Sequence, residues 1–292
     1  MFSPEKLETV CQAVKSETPG TILNRADDLD TYDKSILDST PEMTSKVRGV
    51  GAMQEIHIFL APIWVKNSSS IDYSVVDKYN KVIDEFNKNM ADTYDDFKPM
   101  KNPLLALKFE KEGYVNVMQS SLYVLSDDKN KVVTMAHQLA KLFAVAGFTV
   151  LREKIEASVY GINGIPQTNE EAIKYGKYFE FHIRVQRKDT TNHEPLDDEE
   201  LESLEMISAR FKTKFNTPVP LSFNRSKEGT EGGYQRYLNF RSRGLGAIES
   251  CSHVKEICDA INTETLFQVM KVISEYVWYD TYVKMDSGWI DF

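Results

Sequence analysis

Two short segments of this sequence each place a histidine two residues after a glutamate. The pairs are Glu55 with His57 and Glu180 with His182. Alternate residues of a β-strand share a face, so both side chains of each pair are expected to point the same way. Two histidines in one cleft can exchange protons as general base and general acid while the glutamates orient them, or can bind a metal ion with a carboxylate. The alternative is a structural role as satisfied interior or rim side chains.

A second group of candidate residues lies in the run REKIEA. Arg152, Lys154 and Glu156 alternate along a predicted strand and so share a face. A stripe of this kind can hold an anion or form ion pairs with Glu55 and Glu180. A solvated strand edge is the alternative.

Basic residues near the second histidine suggest a binding site for an anion. Arg184 follows His182 by two residues, and Asn239 and Arg241 belong to a later hairpin that is rich in arginine and tyrosine. With Arg152, these three are the predicted substrate-binding residues, and the arginines would neutralise an anion. A solvated hairpin is the alternative for Asn239 and Arg241.

The elements that must position these residues repeat within the chain. Residues 53–161 predict the order strand, helix, strand, strand, helix, strand, and the same order returns in residues 177–292 after a linker, 162–176. This pattern predicts an α+β fold, a tandem duplication of a ferredoxin-like βαββαβ unit. Each unit forms a four-stranded antiparallel sheet with its helices on one face. We expect the two sheets to pack with pseudo-twofold symmetry around a cleft.

Residues 1–52 lie outside the repeated pattern and are predicted to be an N-terminal extension with one short helix over 4–15.

The second repeat has Glu275 where the first has Glu156, in register with the repeated Glu-x-His segments. This recurrence within one chain favours a shared interior over two unrelated surface positions.

Composition limits the classes of partner and site. The chain has 44 acidic and 35 basic residues and a net charge of −9, so binding to nucleic acid is disfavoured and a small-molecule ligand is expected. The sequence predicts no signal peptide and no membrane span, which favours the cytoplasm. Three cysteines without Cys-x-x-Cys spacing indicate neither a disulfide framework nor a zinc site. No particular cofactor or oligomeric state is predicted.

Three segments resemble those of an uncharacterised group of microbial proteins: YFEFHIRV, REKIEASVYG, and the tail EYVWYDTY with MDSGWI. The resemblance covers roughly residues 53–292, supports the proposed register and implies no activity. The chain is also similar in architecture to the two-histidine phosphoesterases, duplicated α+β proteins with one catalytic histidine per lobe. That family has threonine or serine two residues after each histidine, where this chain has Phe59 and Arg184.

These observations predict an enzyme that acts on a small phosphorylated or nucleotide-like substrate between the two repeats. The reaction would be phosphoester hydrolysis or transfer, with His57 and His182 exchanging protons. Two alternatives stay open: a non-catalytic module that binds a ligand or a protein, and a metal-binding variant that uses the same histidines and glutamates.

Overall fold

The computed structural model describes most of the chain after residue 52. The described ranges are 53–61, 72–91, 99–109, 113–126, 128–158, 165–189, 195–224 and 235–282. The predicted N-terminal extension and its helix lie outside these ranges, as do residues 225–234 of the second hairpin and residues 283–292 of the tail.

The described elements follow the predicted order. The strands are β1 (Met53–Leu60), β2 (Leu104–Phe109), β3 (Gly113–Leu125), β4 (Val150–Ser158), β5 (Tyr178–Arg187), β6 (Leu221–Asn224), β7 (Arg236–Arg243) and β8 (Phe267–Asp280). The helices are α1 (Tyr73–Ala91), α2 (Lys129–Val145), α3 (Asn169–Tyr175), α4 (Asp198–Phe215) and α5 (Ala247–Glu264). The short helix α3 lies within the predicted linker, where Thr168 and Glu171 form a capping box that starts it.

The eight strands form one closed antiparallel barrel, in the order β1-β3-β2-β6-β7-β5-β8-β4. The mixed α+β class and the antiparallel pairing are thus as predicted. The two halves contribute the same strand order, β4-β1-β3-β2 and β8-β5-β7-β6. Their edge strands pair with each other, β2 with β6 and β4 with β8, so one continuous barrel replaces the two separate packed sheets that were expected. Pairing of this kind leaves no sheet edge open in the described structure.

Strand alternation separates the apolar core from the barrel interior. On β1, Ile56 and Ile58 point outward and are fully buried beneath the helices, and Phe181 and Ile183 do the same on β5. Helix α1 contributes its apolar stripe to this outer core. The main core therefore lies between the strands and the helices, which leaves the inward faces of the strands available for polar side chains.

Capping residues start two of the long helices. Asp128 accepts hydrogen bonds from the backbone of Asn130 and Lys131 at the start of α2. Asp197 forms a capping box with Glu200 at the start of α4. None of the helices in the described ranges has the length and apolar character needed to cross a membrane.

Candidate functional site

A cavity of about 560 Å³ lies inside the barrel and extends to residues of α4 and the segment before β6. Seven of the eight predicted site residues line it: Glu55, His57, Arg152, Glu180, His182, Asn239 and Arg241. The eighth, Arg184, is half-buried on β5 opposite Tyr237 and Lys271 and is not part of the lining. The barrel thus brings both Glu-x-His pairs to one interior.

His57 is buried and contacted through both ring nitrogens. Its Nε2 atom bonds to Glu156 Oε1 and lies 3.8 Å from Glu55 Oε1. Its Nδ1 atom lies 2.6 Å from Gln119 Nε2 and 2.9 Å from Ser121 Oγ. These contacts from β3 fix the ring so that Nε2 points at two carboxylates.

His182 has the same arrangement in the second half of the barrel. Its Nε2 atom lies 3.3 Å from Glu275 Oε2 and 3.6 Å from Glu180 Oε1, and its Nδ1 atom lies 2.6 Å from Asn239 Oδ1. The Asn239 amide donates through Nδ2 to Pro220 O at 3.0 Å and to Ser222 Oγ at 2.9 Å, so its Oδ1 atom must accept. His182 therefore carries a proton on Nδ1 and presents Nε2 to the carboxylates.

A buried ion-pair network connects the two halves. Lys154 Nζ lies 2.7 Å from Glu156 Oε2 and donates to Glu180 Oε2 at 2.9 Å, and Arg241 donates to Glu180 Oε1 at 2.7 Å. Lys154 and Glu156 are almost fully buried, because β4 lies between β1 and β8. The alternative of a solvated strand edge is therefore wrong, and the predicted pairing with Glu180 is correct.

Arg152 is also engaged by the protein itself. It forms a bidentate ion pair with Asp280, in which Nε donates to Oδ1 at 2.8 Å and a terminal nitrogen donates to Oδ2 at 2.6 Å. It also donates to the Tyr178 hydroxyl at 2.8 Å. The guanidinium lies over the ring of Phe59, 5.1 Å from its centroid. Arg152 and Arg241, both predicted to neutralise an anionic substrate, are thus each paired with a carboxylate.

Burial and neighbouring charges set the protonation of the cavity. Burial disfavours charged His182, but the hydrogen bond to Glu275 and the charges of Glu180 and Glu275 together outweigh this and raise the pKa of His182 to about 9. Burial and the charge of Glu156 raise the pKa of Glu275 to about 7, despite its bond to His182. Burial opposes ionisation of Glu156 too, but Lys154 and His57 lower its pKa to about 2. Glu156 is therefore ionised at neutral pH.

Two sets of metal-ligand atoms converge in the cavity, and they share one residue. The first donor set is Glu55, His57 and Glu156, and the second is Glu156, His182 and Glu275. Within each set, the donor atoms all lie within 4.8 Å of one another. Ligands on one ion with bonds near 2.1 Å are roughly 3.0 to 3.5 Å apart, and His182 Nε2 and Glu275 Oε2 have this spacing, at 3.3 Å. In the first set, His57 Nε2 and Glu156 Oε1 are in direct hydrogen-bond contact and would have to separate to admit an ion. Each set offers one imidazole and two carboxylates.

Some functional residues carried a sequence signal and others did not. Glu156 and Glu275 recur in register between the halves, and this signal could have added them to the predicted site residues. Gln119, Ser121 and Ser222 belong to no pattern in the sequence, and only their pairing positions in the barrel bring them to the histidines or to Asn239. The alternative of a solvated hairpin is wrong for Asn239, which is buried.

Comparisons with known proteins give no family. No family model and no curated protein matches the chain. Among solved structures, the chain is similar to a protein described as a chlorite dismutase, with 11% identity and a TM-score of 0.23 over 77% of this chain and 94% of that one. A heme-binding protein from Thermus thermophilus gives 9% identity and a TM-score of 0.27 over 77% and 91% of the chains. A protein from Lactobacillus acidophilus described as a monooxygenase gives 9% identity and a TM-score of 0.23 over 77% of this chain and 93% of that one. Likenesses at this level carry no functional information.

Proposed function

We propose that this chain is an enzyme that holds two divalent metal ions inside its barrel and acts on a small molecule in the same cavity. The observation that carries the proposal is the position of Glu156, which belongs to both donor sets. A carboxylate has about four lone-pair sites, so Glu156 can bind one ion through each oxygen and still accept from Lys154. His57 and Glu55 would complete one ion's ligands.

His182 and Glu275 would complete the ligands of the second ion. His182 donates its Nδ1–H to Asn239, which supports this role because metal-binding histidines typically donate their far ring N–H in this way. For His57, the Ser121 hydroxyl is the group that can accept the Nδ1 proton, because the Gln119 amide nitrogen is a donor. Mixed imidazole and carboxylate ligands suit Mn²⁺, Fe²⁺ or Zn²⁺. When bound, a pair of such ions polarises a substrate oxygen and activates water.

Charge balance connects the ions to the predicted reaction. Five glutamates line the cavity against four lysines and arginines, and the raised pKa of His182 adds a positive charge at neutral pH, so the interior by itself has little net charge to attract an anion. Two divalent ions would make the interior strongly positive and favour a phosphate group. Phosphoester hydrolysis or transfer therefore stays the predicted reaction, in which water or an acceptor hydroxyl attacks phosphorus and the bond to the leaving alcohol breaks.

A second candidate function uses the same side chains without metal. The hydrogen bond between His57 and Glu156 and the contact of His182 with Glu275 are suited to proton transfer. In this mechanism one histidine would accept a proton from the substrate and the other would donate one. The two candidates differ in whether the cavity takes up metal.

Metal content measured by plasma mass spectrometry, after loading with Mn²⁺ and removal of free ions, tests the proposal. We expect two ions per chain, one ion in His57→Ala and in His182→Ala, and a loss of affinity for both of roughly 100-fold or more in Glu156→Gln. Glu153→Gln is the matched control, because Glu153 lies nearby in sequence on β4 but contacts His137 outside the donor sets. Absence of tightly bound metal in the unmodified chain, with activity that survives chelation, would favour the proton-transfer mechanism.

A further inference from the structure

The cavity changes from polar to apolar along its wall. On β1, Glu55, His57 and Phe59 face inward in succession, and the rings of His57 and Phe59 are 6.2 Å apart between centroids. Phe59 belongs to a small apolar cluster with Val117 and Leu107 that is separate from the main core. The interior therefore has an apolar region next to the first donor set.

Leucines on a nearby strand enlarge this region. Leu105 and Leu107 alternate on β2, line the cavity and are only partly buried, whereas Leu104 and Ala106 point to the outer face and are buried. We name Phe59, Leu105 and Leu107 the apolar wall.

The apolar wall is not needed to hold the helices on the barrel. The main core already fills the space between the strands and the helices, and protein interiors are normally close-packed. A cavity of about 560 Å³ beside partly exposed apolar side chains is instead within the size range of small-molecule sites, which combine apolar walls with a few converging polar groups.

We propose that the substrate carries an apolar group, a single aromatic ring or a short alkyl chain, directly beside its reacting phosphate. The apolar group rests on the apolar wall while the phosphate reaches the two donor sets. This inference rests on the proposed function for the phosphate and on the wall alone for the apolar group. An aryl or alkyl phosphomonoester is the class of substrate that fits both.

Calorimetric titration of the Mn²⁺-loaded chain with phenyl phosphate and with glycerol phosphate tests the inference. We expect phenyl phosphate to bind roughly tenfold more tightly than glycerol phosphate, or better, because its apolar ring is transferred from water to the apolar wall on binding. Leu107→Ala is expected to remove most of this preference, because it weakens the binding of phenyl phosphate more than that of glycerol phosphate. Leu104→Ala is the matched control, since it shortens an outward-facing leucine of the same strand and should keep the preference.

The outcomes separate this inference from the proposed function. Equal affinity for the two phosphates, or a preference that survives in both Leu107→Ala and Leu105→Ala, would overturn the apolar wall as a subsite. If the chain takes up no metal and binds neither phosphate, phenol is compared with glycerol. If phenol then binds and its binding depends on Leu107, the result supports the apolar wall and contradicts the two-ion centre. If neither phenol nor glycerol binds, the result contradicts both the apolar wall and the two-ion centre.

Discussion

At the scale of single residues, the site depends on how each histidine is anchored. Asn239 holds the Nδ1 atom of His182, and Ser121 contacts that of His57, so both rings present Nε2 to carboxylates. Burial of so many charges is tolerated because Lys154 and Arg241 pair with the glutamates of the network. The chemistry of the cavity is thus determined by residues that would not themselves bind an ion.

The pH dependence of stability tests the environment of His182 in the metal-free chain. Its pKa of about 9 lies above the ordinary value of 6.5. The stability that this proton contributes is complete below pH 6.5 and is lost as the pH rises through 9. Glu275, with its pKa raised to about 7, acts in the same direction and loses its contribution as the pH rises through 7.

We therefore expect the free energy of unfolding, measured by urea titration with a chelator present, to fall by about 3 kcal/mol between pH 6.5 and 9.5. His182→Gln should flatten this dependence. An unchanged slope in that variant would show that another group is responsible. The charged and polar groups around His182 are Glu180 on its own strand, Asn239 on β7, Glu275 on β8, and Glu156 and Lys154 on β4.

Replacement of Lys154 by methionine tests the buried network. The change leaves Glu156 without its cation and takes one of two cations from Glu180, so we expect a loss of about 3 kcal/mol or more in stability by urea unfolding. Arg210→Ala is the control, because it breaks an ion pair with Glu264 whose partners are both exposed. That variant should lose less than about 1 kcal/mol. Equal losses in the two variants would contradict the network's importance.

At the scale of elements, strand alternation explains what the sequence could predict. The repeated Glu-x-His segments already indicated a shared face, and the order of strands and helices in each half was also predicted. The partners supplied by β3 and β6 could not be predicted, because strand pairing between distant segments depends on register rather than on local pattern. Helix α3 was missed because it spans only seven residues within a polar segment.

Gly246, at the start of α5, tests how tightly the segment before α3 packs against that helix end. A Cβ atom at this position would lie 2.2 Å from the backbone oxygen of Gln167, so Gly246→Ala must displace backbone. We expect a loss of about 3 kcal/mol or more in stability by thermal or urea unfolding. Gly176→Ala is the comparison, because open space surrounds Gly176 and only its positive φ of 62° opposes a side chain, at about 1 kcal/mol. A smaller loss at Gly246 than at Gly176 would contradict the packing argument.

At the scale of the whole molecule, barrel closure turns two equivalent halves into one site. Antiparallel pairing of β4 with β8 brings Glu156 toward the second histidine, and pairing of β2 with β6 closes the other side. The repeated element order suggested two sheets but carried no information on whether their edges would join. The halves also differ within the cavity, since Lys154 of β4 and Ile273 of β8 lie opposite His57 and His182 respectively.

Metal binding should stabilise the whole barrel, because the ligands come from β1, β4, β5 and β8. At a free Mn²⁺ concentration about 100 times the dissociation constant, we expect about 3 kcal/mol of added stability, which is lost on chelation. The melting temperature of the loaded and chelated chain measures this effect, and Glu156→Gln should show little of it. A melting temperature that does not respond to Mn²⁺ would contradict ligand binding across these strands.

The central claim is that Glu156 is shared by two metal ions. Anomalous diffraction from crystals of the Mn²⁺-loaded chain measures this most directly. We predict two anomalous peaks roughly 3.5 to 4 Å apart, one beside His57 and one beside His182, with Glu156 between them. A single peak, or peaks away from Glu156, would contradict the two-ion centre.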